Sequence, residues 1–300
     1  MMESSRAQTI ARDVLAVLVV AIFMFPIAWW ALSSIKPYSA IFDRSGPVYT
    51  GFTPTPDNYR VTLLGVSRVD IGMEQGGEAA GVIKGGASSY DSRQSLLDSA
   101  IIAVGSTALT LLLATLAAYC LSRMQFSGQQ SFLFWILSQR FMPPIAIVIP
   151  IVFMFRDLGL RDTYTGLILV HSLINLPLAV LLLKSFFDDV PREVDEAALI
   201  DGATRWQTFR RVVLPMVKGG IAATAVLCFI FSWTEFLLSL FLTTSIRTVP
   251  VKISTFVTST ATEWGYITAL GTSAIIPSFI FILLVQRHLV RGLTLGSLKE

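Results

Sequence analysis

The chain holds 300 residues, of which 53% are hydrophobic and 14% charged, and its mean hydropathy is +0.66. Soluble domains carry about 25% charged residues, so this composition points to an integral membrane protein and excludes an ordinary soluble domain. The net charge of +3 implies no nucleic-acid partner.

Six apolar runs each supply the roughly 20 residues that a helix needs to cross about 30 Å of hydrocarbon. They lie at 14–34, 96–121, 132–155, 164–186, 214–242 and 266–285. The expected fold class is therefore all-α, a polytopic membrane protein with six transmembrane helices across 14–286. Arg6 and Arg12 precede the first run as they would in a signal peptide. Its apolar core is longer than the roughly 7 to 15 residues of such peptides, and Trp29 and Trp30 close it, so an uncleaved span is expected. Residues 1–13 then form a cytoplasmic N-terminus and 287–300 a cytoplasmic tail. In this orientation Arg123, Lys184, Arg192, Arg205, Arg210 and Arg211 stay inside, and the short outer loops keep only Arg156, Arg161, Arg247 and Lys252. That asymmetry obeys the positive-inside rule.

The external loop 36–95 is the only sizeable polar part. Its stretch 72–86 contains Gly76, Gly77, Gly81, Gly85 and Gly86 and predicts a mobile loop instead of a packed domain. The third run reads Ser138-Gln139-Arg140-Phe141-Met142-Pro143-Pro144. Pro143 and Pro144 remove the helical bonds to the carbonyls of Gln139 and Arg140, so a broken helix is expected there. Counted along a straight helix, Arg140 lies about 13 Å into the span, near the bilayer middle, where a charge has to face protein or water. Asn175 with Pro177 in the fourth run, and Trp233 with Glu235 in the fifth, offer polar and aromatic groups at related depth.

Cys120 and Cys228 both fall inside apolar runs and read as small core residues, not as a disulfide or a metal pair. His171 and His288 are the only histidines, too few and too far apart for a zinc site or a triad. No G-x-x-x-x-G-K-[ST] phosphate cradle is present. Neither a catalytic residue, a metal nor a cofactor is expected in this chain, and its energy source has to be a partner.

The polar segment 187–213 cannot enter lipid, because each charge costs about 2.5 to 3.5 kcal/mol or more at the bilayer centre. It therefore lies in water, open to a soluble partner. Pro191 suits a first helical turn, and Asp188 and Asp189 bring negative charge to the N-terminal end. A helix is expected from Arg192, with Ala197 and Ala198 as strong helix formers and Gly202 as its stop. Ala198 and Gly202 are four residues apart, on one helical face that admits close approach. Thr204 and Gln207 have the capping-box spacing and predict a second helix, leading through Arg210 and Arg211 to Leu214 and Pro215.

Glu196-Ala197-Ala198, three residues, Gly202, nine residues, Val212, one residue, Leu214-Pro215 resembles the EAA signature of permease subunits in bacterial ATP-binding cassette importers. Val212 stands where that family usually has Ile. Thr55-Pro56-Asp57-Asn58-Tyr59 and the C-terminal Gly292-Leu293-Thr294-Leu295-Gly296-Ser297-Leu298-Lys299 are similar to carbohydrate permeases of the maltose type. The resemblance covers most of the chain. It departs after Tyr59, where the loop is extended, and at Asp98-Ser99, where Asn-Ser is more usual.

The resemblance implies a type I importer permease fold in the bacterial plasma (inner) membrane. It further implies a heterodimer with a second permease subunit, two cytoplasmic ATP-binding subunits that hold ATP and Mg, and an external solute-binding protein. Glu196, Ala197, Ala198, Asp201, Gly202, Leu214 and Pro215 would form the ATPase-coupling element. Docked in an ATPase groove, this helix passes the closure of the ATPase as a lever into spans four and five. Gly202 and the two alanines permit the contact, and Glu196 or Asp201 pairs with a basic groove residue. Arg140, Asn175, Trp233 and Glu235 are candidates for the substrate pathway, since a sugar needs planar polar groups for its hydroxyls and an aromatic face for its C–H surface. Scaffold roles stay open beside that: Arg140 paired with Glu235 or capping the broken helix, and Trp233 facing lipid or anchoring at the interface. The cargo is a sugar, or a polyol, glycerol or glycerol phosphate. From another class, an ion-coupled secondary transporter working through Glu235 or Arg140 is the alternative. The EAA match and the lack of evident inverted repeats speak against it.

Overall fold

Within lipid, backbone N–H and C=O groups have to be satisfied inside the segment itself, so apolar runs of this length form helices. The computed structural model describes residues 6–37, 40–41, 51–67, 71, 90–259 and 262–296. Among them there is no strand, only an isolated bridge between Val257 and Thr262. The glycine-rich stretch 72–86 and residues 297–300 lie outside the described residues. The chain divides into one unit of Met1–Arg93 with Ile253–Ala274 and another of Gln94–Lys252 with Ile275–Glu300.

In the first unit, α1 (Arg6–Ser34) leaves its apolar side chains from Val14 to Ile27 exposed, with burial beginning only near its C-terminal end. That end is clamped by the short α2 (Asp57–Leu64). Asn58 Nδ2 donates to the carbonyls of Ser34 and Lys36, both at 2.9 Å, and the hydroxyls of Ser34 and Tyr59 meet at 2.7 Å. The Pro56 to Tyr59 stretch is thus the fastener that holds the chain leaving α1.

The second unit contains α3 (Arg93–Arg123), α4 (Gln129–Ser138), α5 (Pro144–Asp157), α6 (Tyr164–Asp188), α7 (Arg192–Ile200), α8 (Arg205–Met216), α9 (Lys218–Trp233) and α10 (Leu237–Leu242). α11 (Val249–Ser254) and α12 (Trp264–Gly296) follow. Among the described residues, four helices are long and apolar enough to cross a membrane, at Arg12–Ser34, Arg93–Arg123, Tyr164–Asp188 and Trp264–Gln286. Two bent pairs, Gln129–Phe141 with Pro144–Asp157 at 95° and Arg205–Met216 with Lys218–Trp233 at 75°, bring the number to six if each pair is one span.

Two points differ from the sequence expectation. The third run breaks at Pro143 as predicted, but the two halves stand at 95°, so a depth counted along one straight axis does not apply to Arg140. The run 214–242 is not one helix. α9 stops at Trp233, and Glu235 opens α10 by accepting the N–H groups of Leu238 at 2.7 Å and Ser239 at 3.0 Å. A carboxylate bonded to free N–H groups favours a fresh helix start over continuation. The last helix, α12, continues through Gly296.

Packing in the second unit is layered along its helices. One apolar cluster joins Ala114 and Ala118 of α3, Ala179, Leu183 and Phe187 of α6, Phe209 and Val213 of α8 and Cys228 of α9. Another joins Ile102 of α3, Val148 and Phe155 of α5, Leu167 and Val170 of α6 and Leu238 and Leu242 of α10. Between these clusters in chain order, each helix places polar residues: Ser106 on α3, His171, Ser172 and Asn175 on α6, and Ser232 at the end of α9. Gly220 of α9 faces the Phe186 ring so closely that any Cβ would strike it. Of the two free cysteines, Cys228 is buried as expected, and Cys120 is exposed on the outward face of α3.

Candidate functional site

Two places gather the residues that the sequence singles out. The first is the turn between α7 and α8. Pro191, extended at ψ 139°, precedes α7, and Glu193 and Asp195 occupy its first turn, where negative charge suits the helix dipole. The helix ends at Gly202, whose φ of +89° suits glycine. Its N–H bonds the carbonyl of Leu199 at 3.1 Å, and that of Ala203 bonds the carbonyl of Ala198 at 3.0 Å, the paired closure of a Schellman motif. Thr204 then caps α8: Gln207 Oε1 accepts the Thr204 N–H at 2.8 Å, and Thr204 Oγ1 accepts the Gln207 N–H at 3.3 Å. α8 widens into a π-helix over Thr208–Val213. Pro215 has no N–H to offer the carbonyl of Arg211.

The faces of α7 are now resolved. Glu196, Ala197, Leu199, Ile200, Asp201 and Gly202 are exposed, and Ile200 stands 86% open. Ala198 is buried against this chain and does not share an outward face with Gly202, so its short side chain lets α7 pack closely onto its own unit. Nothing lies within 4 Å of a Cβ built on Gly202, so within this chain its need for glycine is conformational. Leu214 is half-buried and Pro215 exposed.

The second place is a cavity of about 120 Å³ lined by Arg140, His171, Ile174, Asn175, Phe231, Ser232 and Glu235. Arg140 lies in the 3-10 turn Gln139–Phe141 at the corner of the bent pair. Its guanidinium carbon sits 5.0 Å from the centre of the Phe231 ring, and Nη1 donates to the Ile174 carbonyl at 3.4 Å. Arg140 and Glu235 share the cavity without an ion pair. Glu235 is joined instead to His171, Oε2 to Nε2 at 3.4 Å. His171 Nδ1 meets Ser232 Oγ at 2.7 Å, and Ser106 Oγ donates to Ser232 Oγ at 2.8 Å. Asn175 is 3% exposed, and its Oδ1 has no hydrogen-bond partner.

Trp233 does not join this site. It is buried and stacks on Phe229 at 5.5 Å, which in turn stacks on Phe281 at 4.0 Å, outside the cavity lining. The sequence reading passed over His171, because a lone histidine in an apolar run has no local signal. Only the meeting of α6, α9 and α10 gives it partners.

Residues 106–295 match the family of the binding-protein-dependent transport system inner membrane component. The chain is 35% identical over 290 residues to the trehalose transport system permease protein SugB of Mycobacterium tuberculosis, covering 95% of this chain and 96% of that one. It is 37% identical over 207 residues to the trehalose/maltose transport system permease protein MalG of Thermococcus litoralis, covering 68% and 74%. The sulfoquinovosyl glycerol transport system permease protein SmoH of Agrobacterium fabrum is 36% identical over 206 residues, with 68% and 72% covered. In fold, the chain matches the crystal structure of a bacterial ABC transporter involved in the import of the acidic polysaccharide alginate. The TM-score is 0.66 at 22% identity, with 96% and 99% of the two chains covered. The chain belongs to the binding-protein-dependent family of ABC importer permeases, integral membrane transport components that work with other parts of such a system and are not themselves enzymes.

Proposed function

We propose that this chain is the sugar-translocating permease subunit of an ATP-driven importer in the bacterial plasma membrane, with both termini in the cytoplasm. It pairs with a second permease, docks on two ATP-binding subunits that hold ATP and Mg, and receives solute from an external binding protein. The observation that carries the reading is α7. A short helix closed by a Schellman turn and followed by a capped second helix is held rigid between membrane spans, with Glu196, Leu199, Ile200 and Asp201 left uncovered. An apolar and acidic exposed face of that size, on a segment barred from lipid, suits a groove on a soluble partner. The trehalose, maltose and sulfoquinovosyl glycerol permeases among its relatives support a sugar cargo, and the cavity around Arg140 and Asn175 offers donors and one unpaired acceptor for hydroxyl groups.

The test is solute uptake by the full complex in proteoliposomes. Labelled trehalose and maltose are compared with glycerol and glycerol phosphate, with and without ATP inside. ATP-dependent uptake of a disaccharide is expected. Uptake driven by an ion gradient without ATP would sink the proposal, and transport restricted to glycerol or its phosphate would sink the sugar assignment.

A further inference from the structure

The exposed side of α7 accounts for contact with a partner, but not for how a push on it reaches the solute cavity. The inner side of α7 holds a polar cluster that the reading above leaves unused. Asp195, one residue before Glu196, turns inward and meets the end of α3. Its Oδ2 lies 2.9 Å from Arg123 Nε, with the two side chains only 13% and 9% exposed. The atoms face each other off the N–H axis, an ion pair and not an aligned hydrogen bond. The other carboxylate oxygen accepts the hydroxyl of Tyr119 at 3.0 Å.

The same last turns of α3 hold α7 at its entrance. Arg123 Nη2 donates to the carbonyl of Val190 at 2.9 Å, and Arg192 Nη2 donates to the carbonyl of Ser122 at 3.3 Å. The Tyr119 ring packs on Phe209 at 4.7 Å and Phe187 at 5.6 Å, which fixes the hydroxyl in place. α3 is one unbroken helix from Arg93 to Arg123. Midway along it, Ser106 donates to Ser232, which lines the cavity and bonds His171. A buried, paired charge resists separation, because removing one partner strands the other away from water. A helix transmits axial and lateral displacement along its length without a hinge.

We propose that Asp195, Arg123 and Tyr119 form the pin through which displacement of α7 is delivered to α3, and along α3 through Ser106 to the cavity. The inference rests on α7 being the ATPase-docking helix. It shifts the mechanical output from spans four and five alone to the second span. The three side chains are positioning residues: they touch neither solute nor nucleotide.

The experiment uses the complete transporter with its partner permease, ATPase subunits and binding protein. Three quantities are read for each variant: ATPase retained on purification, ATP hydrolysis stimulated by the binding protein, and uptake. Asp195→Ala is expected to keep the ATPase bound and hydrolysing while uptake falls more than tenfold, which is uncoupling. Tyr119→Phe, which removes only a hydroxyl, should lower uptake severalfold with hydrolysis intact. Asp195→Glu, which keeps the carboxylate, should retain most of the uptake that Asp195→Ala loses. Unchanged uptake in Asp195→Ala, loss of the bound ATPase from it, or uptake in Asp195→Glu as low as in Asp195→Ala would each overturn the pin. Failure of the docking reading itself appears elsewhere, as full ATPase retention and uptake in Gly202→Asp.

Discussion

At the scale of single residues, conformation and partnership decide roles that side-chain chemistry alone leaves open. Gly202 is needed because φ of +89° costs an L-residue about 1 to 2 kcal/mol, and because a side chain there would project from the uncovered face. Gly202→Asp is expected to insert normally in the membrane yet lose both retained ATPase and uptake, read by immunoblot, co-purification and transport. Asn175 carries a different lesson. A buried acceptor without a partner costs about 1 to 3 kcal/mol. Asn175→Leu should therefore leave the melting temperature in detergent unchanged or raised, while uptake falls severalfold. A marked drop in melting temperature with normal uptake would assign Asn175 to the scaffold beside Trp233.

At the scale of elements, the helix ends carry the informative chemistry. Asp162, in the loop between α5 and α6, holds a left-handed φ of 59°. Its carboxylate accepts the N–H groups of Thr244, Ser245 and Ile246 and the hydroxyls of Thr244 and Ser245, all at 2.8 to 3.2 Å. Partial burial opposes its charge, but these bonds outweigh that and hold the carboxyl well below the usual range. A lowered folded-state value means that the clasp contributes its full stability above about pH 4, the ordinary carboxylate range. The contribution is lost only as pH falls below that range toward the folded value. Thermal unfolding between pH 5 and 8 should thus show no Asp162-dependent slope, whereas Asp162→Ala should cost about 1 to 3 kcal/mol throughout that window. Gly220→Ala tests the α6–α9 contact: its methyl meets the Phe186 ring, and a loss of about 1 to 3 kcal/mol is expected from overpacking, read as a lower melting temperature.

At the scale of the whole chain, the proposed orientation is the property that would join the external loops to solute delivery and α7 to ATP. In a cysteine-free background, a cysteine at Arg161 should react with an impermeant thiol reagent added outside intact cells, and one at Thr204 only after the cells are opened. The reverse pattern would overturn both the orientation and the docking proposal. Purified alone in detergent, the chain should hydrolyse no ATP above background, since it has no phosphate-binding loop.

Much of this was legible in the residues themselves, because the signals are local. Span-length apolar runs, the Pro143 break, the start of α7 near Arg192, the Gly202 stop and the Thr204 capping box each follow from backbone rules acting within a few positions. The charges of 187–213 likewise marked the segment expected to stay out of lipid. Pairings between distant positions were not legible. His171 with Glu235, Asp195 with Arg123, the inward turn of Ala198 and the stacking of Trp233 on Phe229 all depend on which helices meet and at what rotation. Hydropathy cannot report that rotation here, because lipid-facing and core-facing sides of a membrane helix are equally apolar. Only packing distinguishes them, so the identity of each buried polar partner was decided by the tertiary structure.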